Sequence, residues 1–141
     1  MPSYATRADL DKKQWAVEIA QLADRDRDGE EDAGVVDSSL AWACSLIDSK
    51  LAGRIDLSMS APYPARLVDI CCDLARYELY GVQPTEHVRL RYEDAVKQLD
   101  AVRDGKETLG LDPSGDPVLA ANPILISSTP NVFGTNQTEF Y

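Results

Sequence analysis

At 141 residues the chain fits one domain that buries about two thirds of its unfolded surface. Its 44% hydrophobic and 27% charged residues exclude a wholly disordered chain. Twenty-four acidic side chains against 14 basic ones give a formal net charge of -10, a surface that repels phosphate backbones and anionic lipid. No run approaches the ~18 apolar residues of a membrane span. Met1 to Leu10 has neither the basic start nor the apolar centre of a signal peptide, so no membrane is expected and synthesis is expected in the cytosol.

The pattern predicts a mainly α-helical protein, a small helical bundle over residues 1–110 with an extended arm at 54–64 and an extended C-terminal tail at 111–141. Thr6 and Asp9 predict a capped start for a short helix from about Arg7 to Lys13. Trp15, Ile19 and Leu22 recur at four and three and mark a second amphipathic helix that ends before Asp24. The stretch DRDRDGEED follows. Asp37 or Ser38 is then expected to cap a helix striped by Leu40, Cys44, Ile47 and Leu51 and closed by Gly53. RIDLSMSAPYP alternates apolar and polar residues before two prolines, which predicts an extended arm suited to reaching a neighbouring subunit.

Pro64 suits the first turn of a helix running to about Tyr80, where Gly81 and Pro84 end it. Its apolar positions cover most of the circumference and leave Asp69, Asp73 and Arg76 as a polar stripe, so this is the core helix or an interface helix. Thr85 precedes a last helix with Val88, Tyr92, Ala95, Leu99 and Val102 on one face, ending at Gly105. Beyond Gly110 four prolines, two glycines and no Lys or Arg remove the helical period. The apolar residues there, among them Val132, Phe133, Phe140 and Tyr141, are expected to find their burial on another chain.

Three constellations bear on chemistry. Asp24, Asp26 and Asp28 followed by Gly29 match the start of a calcium loop, where alternate carboxylates converge because glycine permits a sharp turn, and Asp32 stands at the ninth position. The twelfth position, which should hold a bidentate glutamate, is Val35. Calcium binding in the ~0.1–1 mM range is then the most expected of a site otherwise read as a solvated acidic turn. Cys44, Cys71 and Cys72 have no CxxC spacing and His87 as the chain's one histidine, so they read as small apolar residues in helices and not as a zinc site. A small enzyme using Glu86 and His87 is the remaining catalytic reading. No nucleophile motif, glycine-rich phosphate loop or basic aromatic patch accompanies it, and no enzyme is expected.

Taken in order, YATRADL, QLADRDRDGEED, AWACSLIDSKLAGR, DICCDLARYEL, RLRYEDAVKQLDAVRDGKETLG and SSTPNVFG resemble the small neck protein family of Mu-like phages and prophages. The most specific parts are Ile47-Asp48 with Leu51 to Arg54, Asp73 with Ala75-Arg76-Tyr77, and Arg91-Tyr92 leading to Gly105-Lys106. Ile55 and Leu57-Ser58 depart from the aromatic and Leu-Pro pair the family tends to have there. The resemblance implies a structural virion protein: a head-tail connector that forms a ring, a dodecamer, under the portal. It would join the DNA-filled capsid to the tail, assembling in the host cytoplasm and residing in the virion neck. The implied partners are further copies of the chain, the portal protein, a tail terminator or other neck or tail protein, and packaged DNA that passes without specific binding. No cofactor is required beyond the candidate calcium. The interface residues expected on this reading are Ile55, Leu57, Met59 and Tyr63 in the arm and Val132, Phe133, Phe140 and Tyr141 in the tail. An acidic calcium-binding module using the Asp24–Asp32 loop is the alternative.

Overall fold

A computed structural model describes residues 3–55 and 62–110. Among the described residues there are five helices and no strand: α1 (Arg7–Lys12), α2 (Ala16–Ala23), α3 (Val35–Leu51), α4 (Ala65–Tyr80) and α5 (Glu86–Arg103). The mainly α expectation holds. Of the arm, residues 56–61 lie outside the described residues, as does the whole expected tail at 111–141.

The helix starts follow local chemistry. At α1 the Thr6 hydroxyl accepts from the Asp9 N–H while the Asp9 carboxylate accepts from the Thr6 N–H at 2.8 Å, a reciprocal capping box. Gln14, at φ 65°, turns the chain between α1 and α2. The Thr85 hydroxyl accepts from the Val88 N–H at 3.3 Å and caps α5. Helix α4 follows Pro64 and stops at Gly81.

Helix α3 differs from the expectation. Neither Asp37 nor Ser38 is its cap; Gly34 is, at φ 82°, with no side-chain cap hydrogen bond. The helix starts earlier because Val36 is buried and its burial outweighs the loss of a polar cap, while a glycine at 34 takes the left-handed backbone without a Cβ penalty. The turn before it is tied back through the Asp32 N–H, which donates to the Ala23 carbonyl at 3.0 Å.

Helix α4 is the hub and touches all four other helices, most extensively α3 and then α5. Leu67, Ile70, Cys71, Leu74, Ala75 and Leu79 are buried along it. They meet a core to which α3 gives Leu40, Cys44, Ile47 and Leu51, α5 gives Ala95, Leu99 and Val102, and the N-terminal helices give Leu10 and Ile19. Each fully buried Leu or Ile contributes roughly 1.5–3 kcal/mol relative to exposure, enough to fix a bundle of this size. Tyr4 is pinned to α3 from outside it: its hydroxyl donates to Asp48 and its ring meets Tyr63 edge-on at 5.1 Å.

Candidate functional site

The acidic turn between α2 and α3 does gather three of its carboxylates. One oxygen each from Asp24, Asp26 and Asp28 lies within 4.8 Å of the others. The backbone brings them there. Asp24 accepts from the Asp28 N–H at 3.0 Å and the Gly29 N–H at 2.9 Å, Asp26 from the Asp28 N–H at 3.1 Å, and Asp28 from the Glu30 N–H at 2.8 Å. Short acidic side chains that bond their own backbone a few residues on stabilise tight turns in this way, and Arg27 (φ 63°) and Gly29 (φ 97°) supply the left-handed steps. Asp32 does not join the three. Its carboxylate accepts from the Arg25 N–H at 2.6 Å and closes the base of the turn.

Slight burial raises the Asp24 carboxyl, and the N–H groups of Gly29, Asp28 and Arg27 more than offset it, holding the group below its usual value. Ionised oxygens with lone pairs left over are the donor set a hard divalent cation takes. Val35 gives no ligand; it opens α3 and packs half-buried against the core. Two arginines fix the turn to the body. Arg25 donates to the Leu79 carbonyl at the end of α4 at 3.3 Å, and Arg7 of α1 pairs with Glu31.

A second charged feature runs between helices. Arg76 is buried, and it grips the Glu18 carboxylate with Nε and Nη2, each at 2.9 Å, while the Tyr80 hydroxyl donates to the same carboxylate. The Arg76 guanidinium lies 4.3 Å from the centre of the Trp15 ring, the Lys13 ammonium 5.4 Å and the Arg91 guanidinium 5.6 Å. Arg91 in turn holds Asp73 with Nε at 2.9 Å and Nη2 at 3.2 Å, and Lys13 reaches Asp69 at 2.8 Å. The indole face thus sits among three cations that carboxylates neutralise. One residue on from Arg76 and Arg91, Tyr77 and Tyr92 stack at 3.9 Å, 13° from parallel.

Burial pushes the Glu18 carboxyl up, and Arg76 and Tyr80 pull it further down, to a net value below the ordinary one. Asp73 shows the reverse outcome: burial outweighs Arg91 and leaves it raised. Of the stripe of Asp69, Asp73 and Arg76 on α4, Asp73 and Arg76 are therefore withdrawn from solvent, while Asp69 stays exposed. The stripe is used within the chain to hold α1, α2 and α5. Sequence reasoning missed this seam because its partners stand 18 to 62 residues apart. The signal that could have found it was an arginine one turn from an aspartate on a helix otherwise apolar all round.

Of the expected interface residues, Ile55 and Tyr63 are half-buried and pack against the chain's own core. The Ile55 N–H still donates to the Leu51 carbonyl at 3.3 Å. Leu57, Met59, Val132, Phe133, Phe140 and Tyr141 lie outside the described residues. His87 is exposed, and the neighbouring Glu86 pairs with Arg89 at 2.5 Å. Among the described residues no helix is long and apolar enough to cross a membrane.

Comparison with known proteins gives this geometry a setting. The family described as Bacteriophage Mu, Gp36 matches residues 4–127. Gene product J of Escherichia phage Mu is 34% identical over 144 residues, covering 98% of this chain and 99% of that relative. The Mu-like prophage FluMu protein gp36 of Haemophilus influenzae is 32% identical over 139 residues, covering 99% of this chain and 98% of its own length. The match takes in the whole helical body, the acidic turn and the seam, and the relatives have no large part that this chain lacks. The chain belongs to the Bacteriophage Mu Gp36 family, a family of Mu-like phages and prophages.

Proposed function

We propose that this protein is a structural component of the virion neck, a head-tail connector that forms a ring under the portal and joins the filled capsid to the tail. The observation that carries the reading is the end-to-end match to gene products of Mu-like phages, which supports a role for the whole chain as a phage virion protein and not for one module of it. The physical chemistry supports it. A rigid helical body with a hub helix is a sound building block for a ring, because closed assemblies need the same surfaces held in register in every copy. A formal charge of -10 per chain, repeated around a dodecamer, would let DNA pass without being held. The partners on this reading are further copies, the portal protein, and a tail terminator or other tail protein. The apolar residues Val132, Phe133, Phe140 and Tyr141 would find their burial on those neighbours. The role is mechanical and assigns no catalysis to Glu86 or His87.

Chromatography with light scattering tests it. The protein mixed with portal should elute as a defined ring complex, and deletion of Asn131 to Tyr141 should weaken that complex while the helical circular dichroism stays unchanged. No association with portal under any salt condition would overturn the proposal.

A second reading rests on the convergence of Asp24, Asp26 and Asp28 within 4.8 Å: calcium steadies the turn. Millimolar calcium should then raise Tm in the wild type and not in Asp24→Asn. Equal shifts in both chains would remove the turn as the site.

A further inference from the structure

The buried cysteines hold a feature that neither the family nor the proposed role assigns. The Sγ atoms of Cys44 on α3 and Cys71 on α4 lie 3.7 Å apart, across the most extensive helix contact of the fold. A disulfide bond is about 2.05 Å long, so the two sulfurs need to close by roughly 1.6 Å. Cys72 is the contrast. Helical geometry turns it about 100° away from Cys71, and its charged neighbours are Lys13 and Asp9 of the N-terminal helix region with Asp69 and Asp73 of α4.

The two sulfurs are not equivalent. Cys44 also accepts from the Tyr4 N–H at 3.3 Å, and it lines a cleft between the N-terminal segment and α3, walled by Ser3, Ala5, Thr6, Arg7, Asp37 and Leu40 among others. Both side chains are buried, Cys44 2% and Cys71 0% exposed, and Cys44 is the one that borders the cleft. We propose that Cys44 and Cys71 form a reversible intrachain disulfide in an oxidising environment, with Cys44 as the thiol that reacts first. The hydrogen bond shared with Cys71 lowers the Cys44 pKa against the opposing effect of burial, and the Tyr4 N–H adds to that lowering. For Cys71 the same hydrogen bond and its burial work the other way and keep it protonated.

The co-reactant is a low-molecular-weight disulfide such as oxidised glutathione. The Cys44 thiolate attacks one of its sulfurs, forming a mixed disulfide and releasing one glutathione thiolate. Cys71 gives up its proton as its sulfur attacks that of Cys44, and the second glutathione leaves. Two protein thiols are oxidised, one glutathione disulfide is reduced, and the two protons end on the two glutathione molecules. The bond would close a loop containing residues 45–70 and fasten α3 to α4. It does not depend on which partners the protein has.

The full chain, purified reduced and then incubated folded with oxidised glutathione, tests this by thiol titration and by peptide mapping without reduction. The expected result is loss of two of the three thiols, a Cys44–Cys71 linked peptide, and a Tm at least about 5 °C higher that dithiothreitol reverses. Cys72→Ala should still form the bond, and Cys71→Ser should stop at the mixed disulfide on Cys44. Three free thiols in the folded chain, or a link that maps to Cys72, would overturn the proposal. The mapping of the unsubstituted chain decides the matter even if a variant fails to fold.

Discussion

The acidic turn at 24–32 and the seam around Trp15 are built from the same kinds of charged residue and treat them in opposite ways. In the turn, aspartates accept from backbone N–H groups two to seven residues away, so their charge stays largely unneutralised and facing solvent. In the seam, Glu18 and Asp73 are matched by arginines from other helices and shielded by Trp15 and Tyr80. The turn shapes its own loop. The seam specifies how helices sit on one another, because a buried arginine left without its carboxylate is costly in a way that a surface aspartate is not.

Substitutions can break the contrast. The largest effect is expected from Glu18→Ala, which strands the Arg76 guanidinium in the interior. Removing one partner of a buried pair costs about 3–5 kcal/mol, and because the Glu18 side chain is 26% exposed the expected loss is about 2–3 kcal/mol by urea unfolding. A loss under about 1 kcal/mol would make the seam a surface pair like any other.

Acid sharpens the same point. The folded-state pKa of Glu18 is lowered below 4.5, so its contribution is fully present above pH 4.5 and is lost as pH falls through the lowered value. Asp73, raised above 3.8, has the opposite sign: it opposes folding at neutral pH, and acid relieves that. Glu18→Gln should therefore flatten the fall of stability below pH 4.5, and Asp73→Asn should steepen it. Identical acid limbs in wild type and Glu18→Gln would contradict the assignment. At the weak end, Thr85→Ala should cost about 1 kcal/mol through the lost α5 cap. Asp26→Asn in the turn should cost less than about 0.5 kcal/mol, since the contacts it disturbs are exposed.

Much of the body was legible in the sequence because its information is local. The Thr6-Asp9 and Thr85 caps, the Pro64 and Gly81 limits of α4 and the stripe of Leu40, Cys44, Ile47 and Leu51 all act within a few residues. The start of α3 was misplaced because burial of Val36, a tertiary effect, outweighed the polar cap that Asp37 or Ser38 offered. Three carboxylates of the candidate site were legible as a cluster, since alternate spacing and Gly29 enforce the turn. Asp32 was not, because its engagement with Arg25 depends on how the two ends of the loop meet.

The residues that most clearly carry the family resemblance turn out to meet one another. Asp73 of DICCDLARYEL binds Arg91 of RLRYED, Tyr77 stacks on Tyr92, and Tyr4 of YATRADL bonds Asp48 of AWACSLIDSK. These motifs are the fastenings of the helical body, which is why they reveal the fold more directly than they reveal what the protein joins.

The neck role itself is tested most directly by particles assembled without this protein. The account predicts DNA-filled heads and complete tails that remain separate under the electron microscope, with joining restored when the purified protein is added. Heads that keep their DNA and bear tails normally in its absence would contradict it.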